Sequence, residues 1–153
     1  MNQGDLWLLT IPFGVQGSLS VFDEFYLHYR RHVPKWERIG HPIDTFSLLA
    51  CVCITLWLEP SFYAVVSFVL LSVISSIVIT KDEWVHKDLA TPLEMWVHAM
   101  LFVLHPIVCM SIGIIWFLDP NHLSLKIEAA LLFMYMCYQI IYWNMLQKDP
   151  LEN

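Results

Sequence analysis

Long apolar runs separated by short charged segments dominate this chain of 153 residues. Runs of about 20 apolar residues match the hydrocarbon core of a bilayer, which is about 30 Å thick. The pattern therefore predicts an all-α polytopic transmembrane helical bundle that forms one domain over residues 1–153. The predicted segments are about 6–27, 43–58, 61–80, 93–118 and 123–146.

The first two segments are the weakest members of this pattern. Pro12 and Gly17 interrupt segment 6–27, so the bundle has five spans if this segment crosses the membrane and four if it lies in the interface. Segment 43–58 is short for a span. A helix that extends it through His41-Pro42 is expected, because proline is tolerated in the first turn of a helix.

The composition agrees with lipid as the main solvent of the chain. Hydrophobic residues make up 58% of the sequence and charged residues only 14%, whereas soluble domains carry about 25% charged residues. The net charge of −6 also argues against a nucleic-acid partner, which requires clustered lysine and arginine.

Lysine and arginine concentrate in the loops after the first and third segments and after the last one. Cytoplasmic loops carry an excess of these residues, so we expect the N-terminus outside and the C-terminus in the cytoplasm. The residues on the predicted cytoplasmic side are Arg30, Arg31, Lys35, Arg38, Lys81, Lys87 and Lys148.

Histidines and carboxylates also gather on this predicted cytoplasmic side. Glu24, His28 and His32 follow one another at intervals of four residues, which places them on one face of a helix. Imidazole and carboxylate together suit iron, zinc or manganese, so we predict a metal site. The predicted metal ligands are Glu24, His28, His32, Glu83, His86, Glu94, His98 and His105.

Two further spacings indicate the same chemistry. Glu94, His98 and His105 fall within a stripe about 40° wide on a helix, since each residue turns the chain by about 100°. Glu83 and His86 are three residues apart, which is the spacing of the Glu-x-x-His ligand pairs in di-iron helical bundles.

Other polar side chains are predicted to support this site. Residues that hydrogen-bond to metal ligands orient them, and the candidates for this role are Asp23, His41, Asp44 and Asp82. A second role for Asp44 is to stabilise a helix N-terminus. The residues Tyr135, Tyr138 and Tyr142 share one helical face, and they are interpreted either as a wall for a substrate or as an interfacial aromatic belt.

Several runs along the chain resemble those of small, uncharacterised bacterial polytopic membrane proteins, which implies the bacterial inner membrane as the location. The resemblance covers most of the chain but implies no activity. The runs are Asp23-Glu24-Phe25-Tyr26-Leu27-His28, Trp36-Glu37-Arg38-Ile39-Gly40-His41-Pro42, Lys81-Asp82-Glu83-Trp84-Val85-His86 and the stretch from His98 to Pro106.

The ligand pattern also resembles that of the integral-membrane di-iron fatty-acid hydroxylases and desaturases. The pair His28-x-x-x-His32 is similar to their first histidine box, while the paired boxes of the form His-x-x-His-His are absent from this chain. The resemblance implies two iron ions, a membrane lipid or other apolar substrate that arrives from the bilayer, and an electron donor. The reaction implied is hydroxylation, desaturation or oxidative cleavage.

Other functions remain open from the residues alone. A zinc-dependent hydrolase of a lipid amide or ester needs only three histidines and one carboxylate around an open metal position. A non-enzymatic haem-binding or metal-carrying protein, or a structural subunit with unrelated histidines, also fits the pattern. The small residues Ser72, Ser75 and Ser76 could pack within one chain or pair two chains as a homo-oligomer.

Overall fold

A computed structural model describes residues 3–30, 33–83 and 90–147 of the chain. Every regular element within these ranges is helical, which confirms the predicted all-α bundle. The predicted ligands His32 and His86 lie outside the described residues, and so does the side chain of Asp82.

Four helices of the described ranges are long and apolar enough to cross a membrane. A short 3₁₀ turn, Ile79–Asp82, extends the second of them, and a π-helical turn, Tyr142–Leu146, extends the last. The four helices are α3 (Lys35–Trp57), α4 (Phe62–Val78), α5 (Pro92–Leu118) and α6 (Leu123–Ile141).

The first apolar segment is divided into short pieces and is not among these four helices. It begins with α1 (Gln3–Leu8) and α2 (Ile11–Phe22), and Pro12 lies in the first turn of α2. Proline is tolerated there because the N–H groups of a first turn have no partner within the helix. The chain then continues as a π-helical turn, Asp23–Leu27, and a 3₁₀ turn, His28–Arg30.

Helix α3 begins at Lys35, well before the predicted start near Ile43. Pro34 is extended and precedes the helix, and Pro42 lies inside it. Because proline has no N–H, Pro42 leaves the carbonyl of Arg38 without its usual helical partner. The side chain of Asn144 donates a hydrogen bond of 3.0 Å to that carbonyl, so contact with the end of α6 stabilises the early start.

The helices pack so that their apolar outer faces remain open to lipid. Helix α3 packs along α6 and against α4, and α2 packs against α5. The outward face of α4 is apolar, with Leu70 and Ile77 59% and 64% exposed. Such a surface suits a hydrocarbon solvent. The buried core includes Phe68 and Trp116, whose ring centroids are 5.6 Å apart.

Candidate metal centre

Buried carboxylates and histidines meet at the end of the bundle where α3 and α5 begin. Their side chains come from the π-helical turn after α2, from His28 at the start of the 3₁₀ turn that follows it, and from the first two turns of α3 and α5. We call this group the carboxylate–histidine cluster, and its members are Asp23, Glu24, His28, Glu37, His41, Glu94 and His98.

The ring of His28 lies at the centre of the cluster and is fully buried. Its Nε2 atom is 3.5 Å from an oxygen of Asp23, 3.4 Å from one of Glu37 and 3.5 Å from one of Glu94. Its Nδ1 atom is 3.9 Å from Oε2 of Glu24. One imidazole therefore contacts carboxylates that come from three separate parts of the chain.

Six of the seven cluster residues offer ligand atoms that fall into two overlapping groups, whereas the predicted ligand Glu24 belongs to neither group. Asp23, His28, Glu94 and His98 each offer one atom within 4.8 Å of the others. Glu37 and His41 form a second such group with His28. Two ligand atoms on opposite sides of a metal ion, at about 2.1 Å each, are about 4 Å apart, so either group has the spacing of a metal site.

A capping box orients Glu94 within the cluster. The Thr91 hydroxyl accepts a hydrogen bond of 3.3 Å from the backbone N–H of Glu94, and Oε2 of Glu94 accepts one of 3.4 Å from the backbone N–H of Thr91. This reciprocal arrangement satisfies two N–H groups at the start of α5. It also leaves Oε1 of Glu94 facing His28.

Side chains of α6 and of the π-helical turn that extends it orient Glu24. The indole N–H of Trp143 donates to Oε1 of Glu24, and the Gln139 amide donates to Oε2 at 3.4 Å. The Thr45 hydroxyl in turn donates a 2.8 Å hydrogen bond to the Gln139 carbonyl oxygen, which fixes the amide. The hydroxyl of Tyr135 also lies 3.4 Å from Oε2 of Glu24.

The π-helical turn explains how two consecutive acidic residues enter the same site. In an α-helix, neighbouring side chains point about 100° apart, so one of a consecutive pair usually faces away. Asp23 and Glu24 are nevertheless both buried, 5% and 1% exposed. π-helical turns are frequent at functional sites, and this one turns both carboxylates toward His28.

Electrostatics in the cluster favour its charged forms despite burial. Burial lowers the pKa of His28, but the facing carboxylates of Glu24, Glu37 and Glu94 outweigh it and raise the pKa to about 11. Burial likewise acts to raise the pKa of Asp23, yet the hydrogen bond with His98 and the neighbouring histidines together outweigh it and the pKa is lowered. Without a bound cation, His28 therefore carries a proton that partly neutralises its carboxylate neighbours.

Several buried ligand atoms of the cluster have no hydrogen-bond partner among the described residues. These atoms are Oδ1 of Asp23, both ring nitrogens of His28 and Nε2 of His41. Buried polar atoms are nearly always paired, and each exception requires an explanation. Carboxylate oxygens and imidazole nitrogens are metal ligands, so these atoms are compatible with a bound cation.

The structure separates the remaining sequence-predicted residues from the two groups. Asp44 forms an ion pair with Lys81 at 2.7 Å. His105 lies 2.8 Å from the Ser75 hydroxyl through Nε2 and 3.4 Å from the Gln16 amide through Nδ1. Glu83 is exposed at the end of the described segment 33–83. None of these three has a ligand atom in the groups formed by the described residues.

The predicted tyrosine wall is a stack of rings beside the cluster. Tyr138 stacks on Tyr142 with a centroid separation of 5.4 Å and on Tyr135 with one of 6.4 Å. The hydroxyl of Tyr135 reaches the carbonyl of Ser20 at 3.1 Å as well as Glu24. Tyr135 and Tyr138 line the adjacent cavity described below.

Glu37 is the residue that the sequence interpretation missed. It is 1% exposed and contacts both His28 and His41. A signal for it is present in the sequence: Glu37 precedes His41 by four residues, just as Glu24 precedes His28 and Glu94 precedes His98. A search for this repeated Glu-x-x-x-His spacing finds three of the four carboxylates of the cluster.

A cavity of about 1010 Å³ leads from the cluster along the first segment. Asp23, Glu24 and His98 line one end of it and Trp7 lines the other. It lies between the first segment and α6, with α3 and α5 completing its wall. At the cluster end the ring centroids of Phe25, in the π-helical turn, and Tyr138 of α6 are 4.8 Å apart. Most of its lining is apolar.

Comparison of the chain with family models, curated proteins and solved structures gave no match. The geometry of the cluster and its cavity is therefore the basis for a functional proposal.

Proposed function

We propose that this protein is a membrane-embedded, metal-dependent oxidoreductase whose carboxylate–histidine cluster holds two metal ions, with iron the best match. Its substrate is a lipid or another molecule with a long apolar part, and an electron donor supplies the reducing equivalents. The site lies on the cytoplasmic side if the distribution of lysine and arginine sets the topology as expected.

The observation that carries the proposal is the set of buried ligand atoms on Asp23, His28 and His41 that have no hydrogen-bond partner among the described residues. These atoms belong to two groups whose members lie within 4.8 Å of one another and which share His28. Ionisable residues in a membrane protein are costly to bury, and a bound cation would offset that cost.

The types of ligand favour iron over zinc. The cluster contains four carboxylates, Asp23, Glu24, Glu37 and Glu94, and three histidines. Structural and catalytic zinc sites are mostly four-coordinate and rich in histidine or cysteine, whereas carboxylate-rich sites in helical bundles hold pairs of iron or manganese ions. Iron held here would supply the capacity to oxidise a C–H bond with dioxygen.

The protein's own residues provide the positioning and the access. Thr91 and Trp143 hold Glu94 and Glu24 in fixed orientations, which pre-organises the ligand set. Helix α2 packs against α5 while α6 packs against α3, which supports an opening of the cavity toward the bilayer between α2 and α6. Leu131 and Met134 line it and are 53% and 58% exposed, which provides an apolar route for a lipid chain.

Metal analysis is the first test of this proposal. The protein is purified in detergent from cells grown without added metal, and its metal content is measured by mass spectrometry together with an optical spectrum. We expect about two iron ions per chain. Glu59→Gln, at an exposed position away from the cluster, serves as the matched control and should retain the wild-type content.

Activity is tested on the same preparation by oxygen uptake with a chemical reductant and membrane lipids, followed by lipid mass spectrometry for added oxygen or new double bonds. Stoichiometric zinc without oxygen uptake would contradict the proposed oxidoreductase and favour a zinc-dependent hydrolase. Folded protein that contains no metal would refute the metal site itself.

A further inference from the structure

Four carboxylates and three histidines line the cavity. Its carboxylates are those of Asp23, Glu24, Asp44 and Glu128, and no lysine or arginine lines it among the described residues. Two of these carboxylates belong to the carboxylate–histidine cluster, and Asp44 is paired with Lys81. Glu128 is the one that belongs neither to the cluster nor to an ion pair within the described ranges.

The position of Glu128 along the cavity follows from the packing of α6 beside the first segment. Trp7 contacts His122 with ring centroids 5.0 Å apart, and Ser20 contacts Tyr135. The two segments therefore run in the same direction. Glu128 precedes Tyr135 by seven residues, so it lies about 10 Å farther from the cluster along the helix.

Gln16 lies at a similar height on the opposite wall. It precedes Asp23 by seven residues, which again corresponds to about 10 Å along a helix. Its amide lines the same cavity, and its Oε1 atom is buried with no hydrogen-bond partner among the described residues. Within the described residues, an acceptor without a donor and a carboxylate without a cationic partner thus occur at one level of the cavity.

A chain of hydrogen bonds fixes which end of the Gln16 amide is unpaired. The Ser47 hydroxyl donates to the carbonyl of Asp44 at 2.8 Å, so the Ser75 hydroxyl donates to Ser47 at 2.7 Å. Nε2–H of His105 then donates to Ser75, and Nδ1 accepts from the amide nitrogen of Gln16. The carbonyl oxygen of Gln16 is consequently the end that has no partner.

We infer that the cavity binds a long-chain amine, with the ammonium group between Glu128 and Gln16 and the apolar chain extended toward the carboxylate–histidine cluster. An ammonium supplies the cation for Glu128 and the hydrogen-bond donors for Gln16. Attraction between opposite charges is strong in a low-dielectric cavity, and the Glu128 carboxylate disfavours fatty-acid and phosphate head groups at the same position. The chain then reaches the cluster about 10 Å from the amine.

The binding part of this inference is independent of the metal, whereas oxidation of the bound chain rests on the proposed function. Binding is measured by native mass spectrometry of the detergent-purified protein with dodecylamine, dodecanol and dodecanoate in turn. The same preparation is analysed for metal. We expect dodecylamine to bind at least about tenfold more tightly than dodecanol, and dodecanoate to bind most weakly.

The variants Glu128→Gln and Gln16→Leu identify the residues responsible. Glu128→Gln should bind dodecylamine about tenfold more weakly than the wild type does, while its affinity for dodecanol stays within about twofold of the wild type. Gln16→Leu should weaken amine binding by a smaller factor. Glu59→Gln and Gln147→Leu make the same changes at exposed positions outside the cavity and should behave as wild type.

Equal binding of all three amphiphiles, tighter binding of dodecanol or dodecanoate, or an unchanged preference in Glu128→Gln would each overturn the inference. Selective amine binding by protein that contains no metal would support the inference and refute the proposed function. Stoichiometric iron without selective amine binding would support the proposed function and refute the inference.

Discussion

Two histidines on one face of α5 have very different surroundings. His98 and His105 are seven residues apart, two helical turns and about 10 Å. Nε2 of His98 lies 3.1 Å from a carboxylate oxygen of Asp23, within the carboxylate–histidine cluster. Nε2 of His105 lies 2.8 Å from the hydroxyl of Ser75, in a network of neutral side chains.

The difference shows that spacing along a helix decides which side chains share a face but not which chemistry they meet. His105 has partners at both ring nitrogens, Ser75 and Gln16. Intramembrane histidines commonly bond to neighbouring helices in this way. His98 instead joins several anionic oxygens, and these are the groups that attract a cation. The following predictions test whether this contrast in surroundings is also a contrast in function.

The largest expected effect separates the two histidines directly. His98→Ala should reduce bound metal at least about tenfold, because it removes a ligand from the first group. His105→Ala should leave the metal content unchanged, because it removes only hydrogen bonds to Ser75 and Gln16. Both variants are measured by mass spectrometry in protein whose helical content is checked by circular dichroism. Loss of metal in His105→Ala would show that His105 is a metal ligand, as its spacing from His98 predicts.

A second comparison concerns two glutamates on the same side of the bundle. Glu37→Gln should reduce the metal content by about half, since Glu37 belongs only to the group with His28 and His41. Glu83→Gln should have no effect, because Glu83 is exposed. Elemental analysis of the two variants in parallel gives the stoichiometry. Full metal content in Glu37→Gln would show that Glu37 is not a metal ligand. Loss of metal in Glu83→Gln would show that Glu83 is a ligand, although the described contacts do not include it.

The pH dependence of metal affinity tests the cluster itself. His28 must lose its proton to bind a metal, and its pKa is raised to about 11. Below that pH the metal competes with the proton, so affinity should rise by about tenfold per pH unit between about pH 7 and 9. An ordinary histidine would show no further rise in this range. Calorimetry in buffers of different ionisation enthalpy measures the released proton, and a flat affinity would contradict the raised pKa.

The smallest effect is expected in the neutral network. Ser75→Ala removes the hydroxyl that joins Ser47 and His105, and hydrogen bonds between membrane helices contribute about 0.6 kcal/mol on average. We expect a loss of about 1 kcal/mol in unfolding free energy, measured by denaturant titration in detergent, with no change in metal content. A matched change at Ser76, whose hydroxyl bonds only within α4, should cost less. Metal loss in Ser75→Ala would show that the two regions are coupled.

Much of the candidate site follows from the sequence because helical spacing is a local property. Glu24 with His28 and Glu94 with His98 are four residues apart, so each pair shares a helical face wherever the helix lies. Glu37 was missed because the predicted second segment began near residue 43, where the apolar run begins. Asn144, more than 100 residues away in the chain, donates a hydrogen bond to the carbonyl of Arg38 and so stabilises the polar first turns of α3.

The sequence by itself determined the helical class and the membrane as solvent, because apolar runs of this length are a property of the chain alone. It also determined which carboxylates and histidines could share a helix face. Only the tertiary structure decided that Asp23 and Glu37 face His28, that His105 faces Ser75, and that a cavity separates α2 from α6. These arrangements depend on contacts between helices, and the periodicity of one helix carries no information about the charges that a neighbouring helix presents.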